Sequence, residues 1–337
     1  MLINNKRGIV EIFGFIFLVL LLFFLNSFFF QDKTCKDDTL ANQCSVNKPY
    51  FCEKKILVER ASVCGCSSGM TLKEDSCISD LQTEPEEISL KYILRGEEKY
   101  LSFITYNGLK DYFFDLPSSI NYQNNKLGPS RQDFKLRNIN EKEQKKLLLP
   151  LVVQIQNIAE SKTDQVRIAV SLVQNIPFGI SNKTISFGKN EINYSRYPYE
   201  VLLEMQGVCG EKSELLAFLL KELGYEVVLF YYPVENHEVV GIKCPEKYSL
   251  DKTGYCFIET TSSSIISDSK GSYFGNGKLS SIYEIIPISN GDSLGKNLYE
   301  YQDAQSWRKI NNLLEKKGSL NWFRNLKFTN LKKKYGL

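Results

Sequence analysis

Two residues of this chain have the types and the spacing for covalent chemistry. Cys209 lies in "EMQGVCGEKSELLAFLLKELGYEVV", at the first turn of what reads as a helix, and His237 follows 28 residues later. The chain has nine cysteines, six of them within residues 35–77, and a single histidine. A thiol attacks as thiolate, and both a helix N-terminus and an adjacent imidazolium favour that anion. Gly207 and Gly210 flank the cysteine and would let a substrate backbone come close. The backbone N–H groups of Cys209 and Gly210 point where an oxyanion would form. On position alone, a lone cysteine is as readily a small buried residue, and a lone histidine a structural one. The pair is the argument, because a cysteine nucleophile needs a base. Glu259 is the candidate third member. It shares a strand face with Phe257, and it meets the imidazole if the register sets it opposite Val239 or His237.

The elements that must position these groups are legible in outline. "SKTDQVRIAVSLVQNI" has helical spacing, with Ser161 or Thr163 as cap and Pro177 as stop. "RYPYEVLLEMQG" reads as a short helix between Pro198 and Gly207. The Cys209 helix carries Leu215, Leu216, Leu219 and Leu220 on one face and closes at Gly224. "YEVVLFYY", "HEVVGIKC" and "YCFIETT" are β-type runs with short connections, so antiparallel neighbours are expected. Upstream, "LKYILRGEEKYLSFITYNGLKDYFFDLP" predicts two or three strands, and from Asn138 the pattern turns helical.

In order and spacing, "GVCGEKSELLAFLLKELGYEVVLFYYPVENHEVVGIK…YCFIETT" resembles the transglutaminase-like superfamily, with its papain-type core. The resemblance covers roughly residues 138–290. It implies an α+β fold in which the nucleophile-bearing helix packs on an antiparallel sheet. It also implies Cys209 as nucleophile, His237 as base, and Glu259 at a position where most members carry Asp. A prokaryotic, largely archaeal subgroup is similar in reading Glu-Thr-Thr there.

Cys35, Cys44, Cys52, Cys64, Cys66 and Cys77 fall in a segment rich in Asn, Asp, Ser and Gly that can bury little core. Disulfides are expected to staple it, in any of 15 pairings. Zinc is the rival, but the segment has no C-x2-C pair and no histidine. Cys244 and Cys256 are a fourth candidate pair. They lie on the parity opposite His237, and a bridge would need the chain to leave the ladder at Cys244, which Pro245 makes possible. Cys209 is then the odd thiol, kept free to react.

"IFGFIFLVLLLFFLNSFFF", Ile12 to Phe30, is 19 residues without a charge. At 1.5 Å per residue it spans roughly 28 Å, near a bilayer core. Lys6 and Arg7 precede it, so the expected form is a single-pass signal anchor with the rest of the chain outside the cytoplasm. "KRGIVE" also reads as a prepilin-type processing site. Sequons at Asn182 and Asn193 are glycosylation candidates in an exported chain.

The expected organisation is residues 1–31 stub and anchor, 32–80 disulfide-rich module, 81–137 linker and small β-rich segment, 138–290 catalytic domain and 291–337 basic helical tail. The net charge of +3 gives no ground for nucleic-acid binding. The tail from Ala304 holds nine of the Lys/Arg and one acid, Glu315. Its stripe of Trp307, Ile310, Leu313 and Leu314 suits a docked surface helix, or a basic amphipathic contact with an anionic surface. With one histidine, a His-rich metal site is excluded; no metal and no cofactor are called for.

The expected activity is that of a membrane-anchored extracytoplasmic thiol enzyme on protein or peptide amides, working through an acyl-enzyme, by hydrolysis first and transamidation second. The alternative is a catalytically silent binding module of the same fold. A disulfide oxidoreductase is a third reading, and Cys209 lacks the C-x-x-C partner it would need.

Overall fold

A computed structural model describes residues 34–116, 128–187, 190–269 and 279–337. The expected anchor, Ile12 to Phe30, lies outside them. Among the described residues, no helix is long and apolar enough to cross a membrane. The chain is α+β, with antiparallel sheets and four disulfides. It divides into two compact units: 34–66 with Leu72–Cys77, and Ser67–Thr71 with Ile78–Leu337.

The first unit is small and its core is sulfur. Cys35 pairs with Cys52, Cys44 with Cys64 and Cys66 with Cys77. Cys35, Cys52, Cys64 and Cys77 are buried beside Tyr50, Leu57 and Ala61, Cys66 is half-buried and Cys44 is exposed. Each bridge closes a loop of 11 to 20 residues. In the chain-entropy view that is worth about 3 kcal/mol apiece, which a module this small cannot draw from apolar burial.

The second unit opens with a hairpin, β1 (Pro85–Leu94) and β2 (Glu97–Tyr106). The third strand allowed above does not form. "GLKDYFFD" is instead helix α1 (Gly108–Asp115), with Leu109 and Phe113 buried. Their i, i+4 spacing suits a helix face, and in a strand it would also share one face, so tertiary packing decides. Next come α2 (Arg131–Ile139), α3 (Lys142–Ile158) and α4 (Lys162–Asn175). Ser161 is the cap of α4, accepting the Asp164 N–H at 3.1 Å. A short hairpin, β3 (Thr184–Phe187) and β4 (Asn190–Asn193), lies in the following loop. Helix α5 (Pro198–Leu203) and the central helix α6 (Cys209–Glu222) follow.

The main sheet has four strands: β5 (Val227–Tyr232), β6 (His237–Lys243), β7 (Tyr255–Ile258) and β8 (Glu284–Ser289), in the order β7-β6-β5-β8, all antiparallel. Strand β8 is not among the expected runs. Pro287 disguises it, and it is tolerated because β8 is an edge strand and shifts register there.

Helix α6 packs on the face of the sheet that carries Val227, Leu229, Val240 and Ile242. The expected single apolar face is too narrow a description, because α6 is buried on every side from Glu211 to Leu220. Its four charged or polar residues therefore need partners. Glu211 has Arg196, Lys212 the Ile176 carbonyl, Ser213 the Glu238 carbonyl and Thr260, and Glu214 has Lys135. The leucines of α6 are wholly buried, and each contributes on the order of 2 kcal/mol.

The tail forms two helices, α7 (Tyr299–Lys317) and α8 (Trp322–Tyr335), joined by a left-handed Gly318 at φ +69°.

Candidate active site

Cys209 is the first residue of α6, and Val208 is its N-cap. Glu211 holds this end in place. Its carboxylate accepts the Val208 N–H at 3.0 Å, the Arg196 N–H at 2.8 Å and Arg196 Nη1 at 3.0 Å. Burial pushes the Glu211 carboxyl up, against the opposing hydrogen bonds of Arg196 and Val208. The opening turn of a helix leaves its N–H groups without intrahelical acceptors, and Cys209 and Gly210 occupy that turn.

The two flanking glycines do not serve the purpose expected of them. A Cβ on Gly207 would meet Lys212 Cγ at 3.1 Å and Val201 at 3.2 Å, so this glycine permits close helix packing. A Cβ on Gly210 would face Glu238 and Lys135 at 3.5 Å, an ordinary contact away from the thiol. Neither marks a substrate path.

His237 opens β6, directly after the turn 233–236. Asn236 ends that turn at φ +46°, a conformation Asn tolerates, and its carbonyl oxygen lies 3.8 Å from the Cys209 sulfur. Alternation places His237, Val239 and Gly241 on the sheet face away from α6, with Phe230, Tyr232 and Phe257. The imidazole meets the thiol because one begins a strand and the other begins a helix, at the same end of the sheet.

Strand β7 pairs Val240 with Ile258 and Gly241 with Phe257, which carries Glu259 to the level of Val239, the first of the two registers considered. Glu259 is fully buried and uses both oxygens. Oε2 lies 2.9 Å from His237 Nε2, while Oε1 accepts Thr260 N at 3.0 Å, Thr261 N at 2.8 Å and Thr261 Oγ1 at 2.6 Å. Gln174 of α4 donates to the Glu259 carbonyl at 2.8 Å and the Ser264 carbonyl at 3.2 Å, fixing the bend after β7. With Nε2 engaged, Nδ1 is the imidazole nitrogen left for the thiol.

Burial alone would lower the imidazole pKa. Hydrogen bonds and charge from Cys209 and Glu259 outweigh it and raise His237 to about 9. The Glu259 carboxyl falls below the usual carboxylate range: burial opposes ionisation, but the hydrogen bonds and charge of His237, with those of Thr261, prevail. His237 is therefore imidazolium at neutral pH.

The site opens into a cleft of about 510 Å³. Cys209, His237 and Thr261 are among the residues that line it. Phe178 and Ile180 form an exposed apolar wall, and the Asn193 sequon stands on the rim. Asn182, the other sequon, is also exposed. Residues 177–179 are bonded to Gly207, just before the cysteine: Gly207 N donates to the Pro177 carbonyl at 3.2 Å, and Gly179 N to the Gly207 carbonyl at 3.3 Å.

Cys244 pairs with Cys256, completing the expected set of eight. The strand ends at Lys243, so Cys244 stands just past the ladder, as expected. Cys244 N still donates to the Gly254 carbonyl, and Cys256 sits opposite Ile242, so the disulfide runs diagonally. It lies on the α6 side of the sheet, at the strand ends remote from His237. All nine cysteines are among the described residues, and Cys209 is the free one.

Sequence reasoning passed over Thr261 as a donor to Glu259, Gln174, the Asn236 carbonyl and Lys212. The last is wholly buried three residues after the thiol. It donates to the Ile176 carbonyl at 2.5 Å, and burial lowers it to about 8, with the charge of Glu259 opposing. Its signal was present: a lysine between glutamates reads as solvated until the helix is known to be buried all round.

No protein-family model matches the chain, and no curated protein matches it. Among solved structures, calcium-bound LapG of Legionella pneumophila is similar at 14% identity over 50% of this chain and 97% of LapG, with a TM-score of 0.26. A likeness of that size carries no argument about this chain.

Proposed function

We propose that this chain is a thiol enzyme with a transglutaminase-like core that cleaves peptide or side-chain amides through an acyl-enzyme, with Cys209, His237 and Glu259 as its triad. One observation carries the reading. The free cysteine and the single histidine meet at the open end of a sheet, and a buried carboxylate, itself held by three donors, lies 2.9 Å from the far nitrogen of the imidazole.

The Cys209 thiolate attacks the amide carbonyl carbon, and the N–H groups of Cys209 and Gly210 receive the oxyanion. Imidazolium Nδ1 gives its proton to the leaving amine as the C–N bond breaks. The acyl group then sits on sulfur, and His237 is neutral. Water gives a proton to Nδ1 while its oxygen attacks the thioester carbonyl, and the thiolate–imidazolium pair returns. Glu259 keeps its proton off throughout, orienting the ring and stabilising its charge. The cleft walls are exposed, which favours water over a second amine as acceptor. Four disulfides belong to an oxidising compartment. In this reading the Ile12–Phe30 run anchors the chain at the cell membrane and the thiol works outside it, on protein or peptide substrates.

The test pairs labelling with cleavage. Iodoacetamide at pH 6 should alkylate Cys209 at least ten-fold faster than glutathione thiol. A proteome-derived peptide library should show new termini with the wild-type chain and none with Cys209→Ala. Activity retained by Cys209→Ala would sink the nucleophile assignment. A thiol no more reactive than glutathione, with no cleavage, would leave a binding module.

A further inference from the structure

We propose that the turn between α7 and α8 is a docking surface for an anionic lipid bilayer, with Trp322, Phe323 and Leu326 entering the interface and Lys316, Lys317, Arg324 and Lys327 facing lipid phosphates. The apolar stripe expected to make such a contact is otherwise engaged. Ile310 is buried, and Trp307 stacks on Phe328 at 5.0 Å with the rings nearly parallel. The far end of α8 is fixed as well. Leu331 is buried, Lys334 Nζ and Tyr335 Oη each donate to Asp303 at 2.7 Å, and Gly336 sits against Ile93 of β1.

What remains is the start of α8, where every residue from 321 to 327 is exposed. Trp322 is 69% exposed, Phe323 75% and Leu326 49%. Spacings of three and four residues join them into one patch, and the Trp322 and Phe323 rings meet edge-on at 4.8 Å. Leaving three such side chains in water is unfavourable relative to burying them.

The charges around the patch select the occupant. Lys316, Lys317, Arg324 and Lys327 are exposed, and the tail from Ala304 holds one acid against nine bases. A second copy would bring the same positive charge to the contact and be repelled. An anionic bilayer offers both an apolar layer for the rings and phosphates for the cations. Tryptophan favours that boundary, and cations are attracted to an anionic leaflet. The contact is independent of the chemistry at Cys209, although it would hold the unit carrying that thiol at the membrane surface.

The chain has two tryptophans, Trp307 and Trp322, so fluorescence reads the contact at a single side chain, whatever else binds the membrane. The full-length chain is mixed with vesicles of brominated lipid, either phosphatidylcholine alone or phosphatidylcholine with phosphatidylglycerol. Quenching is expected with the anionic vesicles. It should be lost in Trp322→Phe, which leaves Trp307 as reporter, and should require roughly 10²- to 10³-fold more lipid when Lys316, Lys317, Arg324 and Lys327 are changed to Gln. Because these positions are exposed, unchanged circular dichroism is expected and serves as the control. No quenching by either vesicle overturns the proposal, and so does equal quenching by both. A Trp322 emission shift that follows protein concentration without lipid would assign the patch to self-association. The same shift with soluble polyphosphate would assign it to a polyanion, and either result removes the bilayer as occupant.

Discussion

Both oxygens of Glu259 are committed, and this dictates what an amide would do in its place. In Glu259→Gln the oxygen must stay with Thr260 N, Thr261 N and Thr261 Oγ1, because all three are donors. The new NH₂ then faces His237 Nε2 and forces the tautomer with its proton on Nδ1. That nitrogen can no longer accept the thiol proton. We expect kcat/KM to fall about 10- to 10³-fold, less than the roughly 10⁴ of the serine-triad analogue, because a preformed ion pair needs less help. Glu259→Asp keeps the charge but cannot span both sets of partners; it should retain more activity than Gln while losing about 1–3 kcal/mol of stability to unsatisfied donors. A Gln form as active as wild type, with melting temperature as control, would make Glu259 a bystander. Lys212, bonded to the Ile176 carbonyl, feels the charge of the same carboxylate, and we expect it to act as a positioning residue. Lys212→Met removes a buried cation, so melting temperature should hold or rise. Glu259 meanwhile loses a favourable charge, and the acid limb of the pH–kcat/KM profile should move upward. An unmoved limb would reduce Lys212 to a structural cap on Ile176.

Strand β6 shows how an element delivers a residue, and where local packing limits it. Gly241 shares the face of His237, and a Cβ there would lie 2.6 Å from both Phe230 and Val228. Gly241→Ala should cost about 1–3 kcal/mol in denaturant unfolding and lower activity by tilting the strand. A stable, fully active Ala form would show that the Phe230 ring can simply swing away. The same strand marks what could be read without coordinates. The three central strands, the cap at Ser161 and the Cys209 helix follow from periodicity and stop signals, since each is set by near neighbours. Strand β8 was hidden by Pro287, and α1 by a spacing that fits two structures. The all-round burial of α6, and with it the roles of Lys212 and Gln174, depends on contacts between residues far apart in sequence, which no window of spacing contains. Of the site, the meeting of Cys209, His237 and Glu259 and the two candidate registers were legible. The choice of register, the Thr261 donor and the partners of the two glycines were not.

For the whole molecule, pH brackets the site from both sides. His237 is raised to about 9, so its contribution to stability is complete below the ordinary imidazole range and is lost as pH climbs through about 9. Glu259 is lowered, so its contribution is present above the ordinary carboxylate range and is lost as pH falls through its depressed value. Melting temperature against pH should therefore fall on the alkaline side near 9, and His237→Gln should flatten that fall; an unchanged alkaline limb would remove the imidazolium from the folded state. Protease added to spheroplasts should digest the chain beyond Phe30, and protection until lysis would reverse the proposed orientation. The disulfides have a further consequence, for the order of synthesis. Every bridge joins cysteines 11 to 20 residues apart. A chain made from its N-terminus can therefore close the three module bridges while Cys209 is still unsynthesised. When Cys209 emerges, the thiols it could be mispaired with are already spent. Only Cys244 and Cys256 come later, and they are nearer to each other than either is to Cys209. The free sulfur is protected from its own chain by arriving late.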